Sequence, residues 1–124
     1  SYLQSAGIQI AVASNKYQAA TEKLVAHYFP EIHFTAVFGQ REGVNVKPDP
    51  TIVFDILELA NVRKEDVLYV GDSGVDMQTA ANAGVTACGV TWGFRPRTEL
   101  EEFAPQYITE SAEEIKRLIS ADKI

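Results

Sequence analysis

Two aspartates, Asp72 and Asp76, lie four residues apart directly after an apolar run of the chain. The run 67–70 predicts a buried strand that ends at Gly71, so that both acids lie in a strand-to-helix turn at the carboxyl end of the strand. Open α/β sheets bind their ligands at this end of their strands. Two carboxylates held there are suited to a hard divalent cation such as Mg²⁺. The structural alternative is a helix-capping Asp72 and a surface Asp76.

Ser14 and Asn15 follow another short apolar run, 8–13, which also predicts a buried strand. A serine at a strand end offers its hydroxyl and its backbone N–H to a phosphate oxygen. The N-terminus of the following helix adds a partial positive charge at the same place. The alternative is that Ser14 or Asn15 only caps that helix.

Lys47 opens the segment Lys-Pro-Asp-Pro at 47–50. The two prolines restrict the backbone on both sides of Asp49, which we predict to cap the next helix. A lysine on such a stiffened segment supplies a fixed cation for a phosphoryl group or an aspartate. The alternative is a solvated loop lysine.

A hydroxyl, a lysine and a paired acid therefore follow three successive predicted strands. Because the carboxyl ends of parallel strands meet at one edge of a sheet, Ser14, Lys47 and the Asp72–Asp76 pair are expected to face one crevice.

Strands and helices are predicted to alternate along the chain. Strands are expected at 8–13, 36–38, 67–70, 86–90 and 106–108, and helices at 17–29, from Asp49 onward, after Ser73-Gly74, at 98–103 and at 112–119. This alternation predicts an α/β fold, with a three-layer, doubly wound, mainly parallel sheet covered by helices on both faces. No repeat or linker divides the sequence, so a single domain is expected over 1–124.

Three of these helices are expected to bury one apolar face each, because their apolar residues recur at helical spacing. The faces are Tyr17, Ala20, Leu24 and Tyr28 in the first helix, Val53, Ile56, Leu57 and Ala60 in the second, and Met77, Ala80, Ala81 and Gly84 in the third.

The composition of the chain indicates which partners and which cellular compartment to expect. A net charge of −6 argues against nucleic acid or an anionic membrane as the main partner, because both require a basic face. No apolar run reaches the roughly 20 residues of a membrane-spanning helix. The single cysteine, Cys88, lies in an apolar run and is expected to be buried and inert, which favours a cytoplasmic setting. His27 and His33 lack zinc-ligand spacing and are expected to be surface or packing residues.

Together, these segments resemble the haloacid dehalogenase superfamily of phosphohydrolases. Residues 13–16 resemble its second motif, 47–50 its third and 71–76 its fourth. The run 89–100, Gly-Val-Thr-Trp-Gly-Phe-Arg-Pro-Arg-Thr-Glu-Leu, further resembles the phosphoglycolate phosphatase branch.

The resemblance implies an Mg²⁺-dependent phosphatase that hydrolyses small phosphorylated metabolites through an aspartyl-phosphate. In that scheme, Ser14 would hold a phosphate oxygen and Lys47 would offset negative charge on the nucleophile and phosphate. Asp72 would bind Mg²⁺ directly, and Asp76 would bind it directly or through water. Asn15 would add an amide contact.

The sequence departs from the family in one respect. The family's nucleophile lies in an Asp-x-Asp motif after the first strand, and 1–124 contains no Asp-x-Asp. The helical cap that follows this motif in the family is also missing. We therefore expect the isolated chain to be inactive as a phosphatase.

The missing strand would lie between the predicted strands 8–13 and 67–70, which leaves two strand edges open. Unpaired backbone groups at such edges are costly when buried. We expect the two edges to pair directly with each other or with another chain, as in a strand-swapped or edge-paired homo-oligomer.

The sequence also bears on two other classes of protein. A non-catalytic domain that binds metal or phosphate, or mediates assembly, fits the missing nucleophile. A receiver domain of the response-regulator kind is disfavoured, because its acids precede its lysine whereas Lys47 precedes Asp72. Trp92, Phe94, Arg95 and Arg97 form an aromatic-basic loop that either contacts substrate or a cap, or only packs with its arginines in solvent.

Overall fold

The computed structural model describes residues 3, 6–93 and 95–120. They belong to two compact units, 1–61 and 62–124. The first unit contains strand β1 (Ala11–Tyr17), helix α1 (Gln18–Tyr28), strand β2 (Ala36–Gln40) and helix α2 (Thr51–Ala60). The second contains a 3₁₀ turn (Lys64–Asp66), strand β3 (Leu68–Gly71), helix α3 (Gly74–Ala83), strand β4 (Thr86–Val90), helix α4 (Arg97–Glu101), strand β5 (Tyr107–Thr109) and helix α5 (Ala112–Ser120). The predicted alternation of strands and helices is confirmed.

In the first unit, β1 and β2 form a parallel ladder with an irregularity after Ala13. Ala13 is opposite Phe38 and Tyr17 is opposite Gln40, so residues 14–16 face only Gly39 and bulge out of the ladder. The predicted strand 8–13 was therefore placed too early. The polar residues of the bulge had suggested that the strand ended at residue 13, but the ladder resumes after them.

Helix α1 lies within the predicted helix, one residue shorter at each end, but its predicted apolar face is wrong. Tyr17, Ala20, Leu24 and Tyr28 are all exposed. The buried residue is Thr21, whose hydroxyl lies 3.0 Å from the carbonyl oxygen of Tyr17.

Polar contacts with β2 explain how α1 is oriented. The Gln18 side chain donates to the carbonyl of Val37 at 2.8 Å and accepts the N–H of Gly39 at 2.7 Å. A Cβ on Gly39 would lie 2.4 Å from the Thr21 hydroxyl oxygen, so this glycine allows the close approach of helix and strand. A rule based on apolar periodicity cannot detect an anchor made of glutamine, threonine and glycine.

Helix α2 begins at Thr51 with Pro50 at its N-cap position, one residue later than predicted. Asp49 still binds the start of the helix, because its carboxylate accepts the N–H of Thr51 at 2.9 Å. The hydrogen bond from the Thr51 hydroxyl, followed by that from the Thr51 N–H, lowers the pKa of Asp49. Of the predicted apolar face, Val53 and Leu57 are buried.

The second unit is built on the parallel sheet β3-β4-β5. Strand β4 matches its prediction, and residues 87–90 within it are buried. Strands β3 and β5 begin and end one residue later than predicted, and β5 is an edge strand as expected. The largest fully buried side chains of this unit include Met77, Cys88 and Leu100.

The predicted small face of α3 is correct in part. Met77 and Ala80 are buried, whereas Ala81 is exposed. Gly84 does not pack in the core but ends the helix, because its φ of 75° is in the left-handed region that favours glycine.

One edge of each sheet is open among the described residues, because β1 pairs there only with β2 and β3 only with β4. The expectation that these two edges pair directly with each other is therefore wrong for the described part of the chain. The structure has two separate parallel sheets instead of one continuous sheet.

Candidate active site

Ser14 and Asn15 lie in the bulge of β1, on a strand rather than at a helix cap. Helix α1 has Tyr17 as its N-cap residue, and no side-chain hydrogen bond caps it. The alternative that Ser14 or Asn15 caps this helix is therefore wrong. The Ser14 hydroxyl oxygen instead accepts the N–H of Lys16 at 3.1 Å, which stabilises the bulge.

The amide of Asn15 binds both backbone groups of Lys47. Its Oδ1 accepts the Lys47 N–H at 2.9 Å, and its Nδ2 donates to the Lys47 carbonyl at 3.2 Å. A carboxamide carries one acceptor and two donors, so it can hold a backbone unit from both sides. Asn15 thereby sets the position of the loop that carries the lysine.

The Lys47 side chain reaches β1 at the residue before the bulge. Its Nζ donates to the carbonyl of Ala13 at 3.1 Å, next to Ser14 in the chain. The first unit therefore brings Ser14, Asn15 and Lys47 together. The result is a hydroxyl, an amide and an ammonium group around one bulge.

In the second unit, the acidic turn (residues 71–76) is closed by its own side chains. The Ser73 hydroxyl accepts the N–H of Asp76 at 3.2 Å and caps α3. Asp76 is 9% exposed, and its Oδ2 accepts the N–H of Asp72 at 3.1 Å. Gly71 leaves room for this arrangement, because a Cβ there would lie 2.3 Å from the Asp76 Cβ. Ser73 rather than Asp72 is the cap, and Asp76 is not a surface residue, so the structural alternative for this pair is wrong.

Tyr69 is a site residue that the sequence analysis missed. Its hydroxyl donates to Asp76 Oδ1 at 3.2 Å. Burial raises the pKa of the Tyr69 phenol above its usual value, and the negative charge of Asp76 adds to the effect. The phenol therefore stays protonated and remains a donor. In the sequence, Tyr69 was counted only as a member of an apolar strand, although a tyrosine buried there needs a partner for its hydroxyl.

The Asp72 carboxylate differs from that of Asp76. Within the described part of the chain it has no hydrogen-bond or ion-pair partner, while its backbone N–H is fixed by Asp76. It is half-buried. A partly buried carboxylate that lacks a donor is suited to a cation.

The two carboxylates of the acidic turn are donors of the kind that Mg²⁺ accepts. Among the described residues, no group of three or more His, Cys, Asp or Glu side chains could enclose a metal ion. Mg²⁺ commonly keeps several waters and uses one or two carboxylates. Asp72 is suited to direct contact, whereas both oxygens of Asp76 already accept hydrogen bonds.

The loop after β4 contacts the acidic turn through residues that the sequence analysis did not single out. A Cβ on Gly93 would lie 2.4 Å from Asp72 Oδ2. The Glu99 carboxylate accepts the N–H of Gly74 at 2.7 Å. The glycine and the acid gave no distinct signal in the sequence, because both contacts join segments distant along the chain.

The aromatic-basic loop is only partly as expected. Phe94 lies outside the described residues, and Trp92 is exposed. Arg95 lies 3.7 Å from Glu99, and Arg97 lies 3.4 Å from Glu110, both pairs being at the surface. These ion pairs agree with the alternative of loop arginines in solvent.

Cys88 is buried, as the sequence predicted. Burial raises the pKa of its thiol, which lies 3.5 Å from the Thr109 hydroxyl. A raised pKa lowers the fraction of reactive thiolate, so the cysteine is structural. His27 and His33 are both exposed.

None of the helices in the described residues combines the length and the apolar character needed to cross a membrane.

Comparison with known proteins shows the family to which the chain belongs. The model of the haloacid dehalogenase-like hydrolase family matches residues 1–90. The chain therefore belongs to the haloacid dehalogenase-like hydrolase family, and the resemblance stated from the sequence is confirmed.

Individual relatives agree with this assignment. The chain is 33% identical over 105 residues to a phosphoglycolate phosphatase of Mesorhizobium japonicum, covering 85% of this chain and 46% of that protein. It is 29% identical over 117 residues to a candidate pyrophosphatase of Caldanaerobacter subterraneus, covering 94% and 53%.

A solved structure supports the fold. A protein of Lactobacillus delbrueckii subsp. bulgaricus, solved as a candidate phosphoglycolate phosphatase, superposes with a TM-score of 0.89 at 32% identity, covering 95% of this chain and 49% of that one. The predicted α/β fold of the haloacid dehalogenase type is confirmed. The chain spans about half the length of the curated relatives it matches.

Proposed function

We propose that this chain supplies the phosphate-binding and Mg²⁺-binding residues of a phosphatase that hydrolyses small phosphate monoesters. The observation that carries the proposal is the Asp72 carboxylate, which has no partner among the described residues and stands at the end of β3 beside an Asp76 held by two hydrogen bonds. Family membership supports a hydrolase. The proposal includes the prediction that 1–124 acts as one domain.

The phosphate side of the site would use the first unit. Ser14 would donate its hydroxyl to a phosphate oxygen, and Lys47 would offset the negative charge of phosphate and nucleophile. Asn15 would hold the Lys47 backbone in place and could add an amide contact of its own. These roles agree with the contacts around the bulge.

The metal side would use the second unit. Asp72 would bind Mg²⁺ directly. Asp76 would mainly hold the Asp72 backbone in place and would contact the ion through water. When bound, Mg²⁺ neutralises charge that develops on the phosphoryl group. Tyr69 and Ser73 would keep both acids in position before substrate arrives.

The nucleophile would come from outside 1–124. In the reaction implied by the family, an aspartate attacks phosphorus as the ester bond to the alcohol breaks, and water then hydrolyses the aspartyl-phosphate. No Asp-x-Asp occurs in 1–124, so the isolated chain is proposed to bind without turnover.

For the substrate, we propose a small phosphorylated carboxylic acid of the phosphoglycolate type. The similarity to a phosphoglycolate phosphatase supports this choice, and the similarity to a candidate pyrophosphatase makes inorganic pyrophosphate the comparison substrate. The acidic net charge supports the proposal that neither nucleic acid nor an anionic membrane is the main partner. The single cysteine, Cys88, which is buried, supports the proposed cytoplasmic setting.

A second candidate function is a non-catalytic binding or assembly domain. The open edges of β1 and β3 in the described residues favour it, because exposed edges pair readily with strands of another chain. Edge-paired or strand-swapped oligomers would form in that case.

The test compares the chain with its Asp72→Asn variant. Binding of Mg²⁺ and of inorganic phosphate is measured by calorimetry, and release of phosphate from phosphoglycolate and pyrophosphate is measured in parallel. We expect Mg²⁺ binding that Asp72→Asn abolishes, and no turnover. Turnover that Asp72→Asn abolishes would contradict the proposed inactivity. Wild-type protein that binds neither ion but forms oligomers would favour the assembly function.

A further inference from the structure

We propose that Glu99 is a positioning residue for the acidic turn, and that Gly93 supplies the space in which Asp72 is oriented. Both residues lie on the segment after β4, and both contact the turn in the second unit. This inference rests on the proposed Mg²⁺ role of Asp72.

Glu99 holds the first helical residue of α3. The Gly74 N–H donates to Glu99 Oε2 at 2.7 Å, a short bond to a charged acceptor. Gly74 is buried and lies between Asp72 and Asp76 in the chain. A Cβ on Gly74 would lie 2.8 Å from the Phe103 ring and 3.1 Å from Glu99 Cγ, so the segment packs closely on the turn.

Gly93 lies close to the side chain of Asp72. A Cβ there would lie 2.4 Å from Oδ2, 2.5 Å from Cβ and 2.8 Å from Cγ of Asp72. The clash would involve the whole side chain, so rotation of the carboxylate tip alone could not relieve it. Gly93 has no positive φ, so the requirement for glycine is one of space rather than of backbone conformation.

Glu99 is itself held at the surface by Arg95, whose guanidinium lies 3.7 Å away. The sequence analysis left the role of Arg95 open between substrate contact and packing. Its ion pair with Glu99 suggests a third role, in which it orients Glu99. Arg95 orients Glu99, Glu99 fixes Gly74, and Gly74 lies in the turn that presents Asp72. Removal of a group that orients a ligand typically lowers metal affinity by about 10- to 100-fold.

The experiment measures the dissociation constant of Mg²⁺ alone by calorimetry. It uses the wild-type chain, Glu99→Ala, Glu99→Gln and the matched control Glu101→Ala. Glu101 lies on the same helix, and its carboxylate lies 3.9 Å from Arg97 rather than on the turn. We expect Glu99→Ala to raise the dissociation constant about tenfold, Glu99→Gln to raise it less because it keeps an acceptor, and Glu101→Ala to leave it unchanged.

Hydrogen exchange of the Gly74 amide separates positioning from unfolding. In Glu99→Ala this amide should lose protection while amides of β4 keep theirs. Gly93→Ala approaches the turn from the other side and should weaken Mg²⁺ binding at least as much.

The outcomes are distinguishable. Equal Mg²⁺ affinity in wild type, Glu99→Ala and Gly93→Ala would overturn the positioning inference and leave the proposed function standing. Failure of the wild type to bind Mg²⁺ would overturn both. An equal loss in Glu101→Ala would overturn the inference as well, because the effect would then belong to the helix in general.

Discussion

The candidate residues of the two units are held in different ways. In the acidic turn, Asp76 accepts hydrogen bonds from groups at most seven residues away, namely the Tyr69 hydroxyl and the Asp72 N–H. Around Lys47, the decisive contacts span 32 residues to Asn15 and 34 residues to Ala13. Hydrogen bonds within the turn thus hold the acid pair, with Glu99 adding a contact from 25 residues away, whereas the described contacts of Lys47 all come from a distant segment.

These residues also differ in burial. Asp76 is nearly buried, so each of its hydrogen bonds replaces lost water. Asn15 is exposed, and its bonds to Lys47 compete with solvent. The same number of hydrogen bonds should therefore stabilise the acidic turn more than the lysine loop.

The largest effect is expected for Asp76→Ala. The change leaves the part-buried Tyr69 hydroxyl and the Asp72 N–H without their acceptor, at about 1–3 kcal/mol for each unsatisfied group. We expect the free energy of unfolding to fall by about 3 kcal/mol in urea denaturation. A loss below about 0.5 kcal/mol, the size of a typical surface change, would contradict the comparison.

An intermediate effect is expected for Tyr69→Phe, at about 1.5 kcal/mol near neutral pH, because Asp76 loses one donor. The variant should also change the pH dependence. Burial, followed by the charge of Asp76, raises the pKa of Tyr69 above 10.0. In the unfolded chain the phenol ionises near pH 10, so above that pH the unfolded state loses a proton that the folded state keeps.

The stability that Tyr69 contributes through its neutral form is therefore present below about pH 10 and lost as the pH rises further. Urea unfolding of wild type and Tyr69→Phe at about pH 8 and about pH 11 measures it, since the other titrating groups cancel in the difference. The gap between the two proteins should narrow at the higher pH. An unchanged gap would mean that Tyr69 is not held neutral.

The smallest effect on stability is expected for Asn15→Ala, at about 1 kcal/mol or less, because its two hydrogen bonds are exposed. Asn15→Ala should weaken the binding of inorganic phosphate, because the Lys47 backbone loses both hydrogen bonds to Asn15. The control is Asn45→Ala, which removes an exposed asparagine bonded to Asp49 in the same loop. Phosphate binding that falls equally in both variants would show that the loop, and not the Asn15 clamp, is responsible.

The sequence analysis was more accurate for features that depend on neighbouring residues than for features that depend on residues distant along the chain. Strand β4 and the contact of Asp49 with the start of α2 were predicted correctly, because a short, mostly apolar run and an aspartate before a proline act locally. The face of α1 was predicted wrongly. Its tyrosines and Leu24 have the spacing of a buried stripe, but Thr21 and Gln18 bind β2 and turn that stripe to solvent.

By itself, the sequence determined the class of fold and indicated Ser14, Lys47, Asp72 and Asp76 as candidate site residues. Strand-helix alternation, the glycine that ends β3 and the four-residue spacing of Asp72 and Asp76 are local properties of the chain. Only the tertiary structure decided that Asn15 clamps Lys47, that Tyr69 holds Asp76 and that Gly93 and Glu99 contact the acidic turn. The physical reason is that these contacts depend on which backbone groups the folded chain brings within hydrogen-bond distance. No periodicity or composition records that proximity.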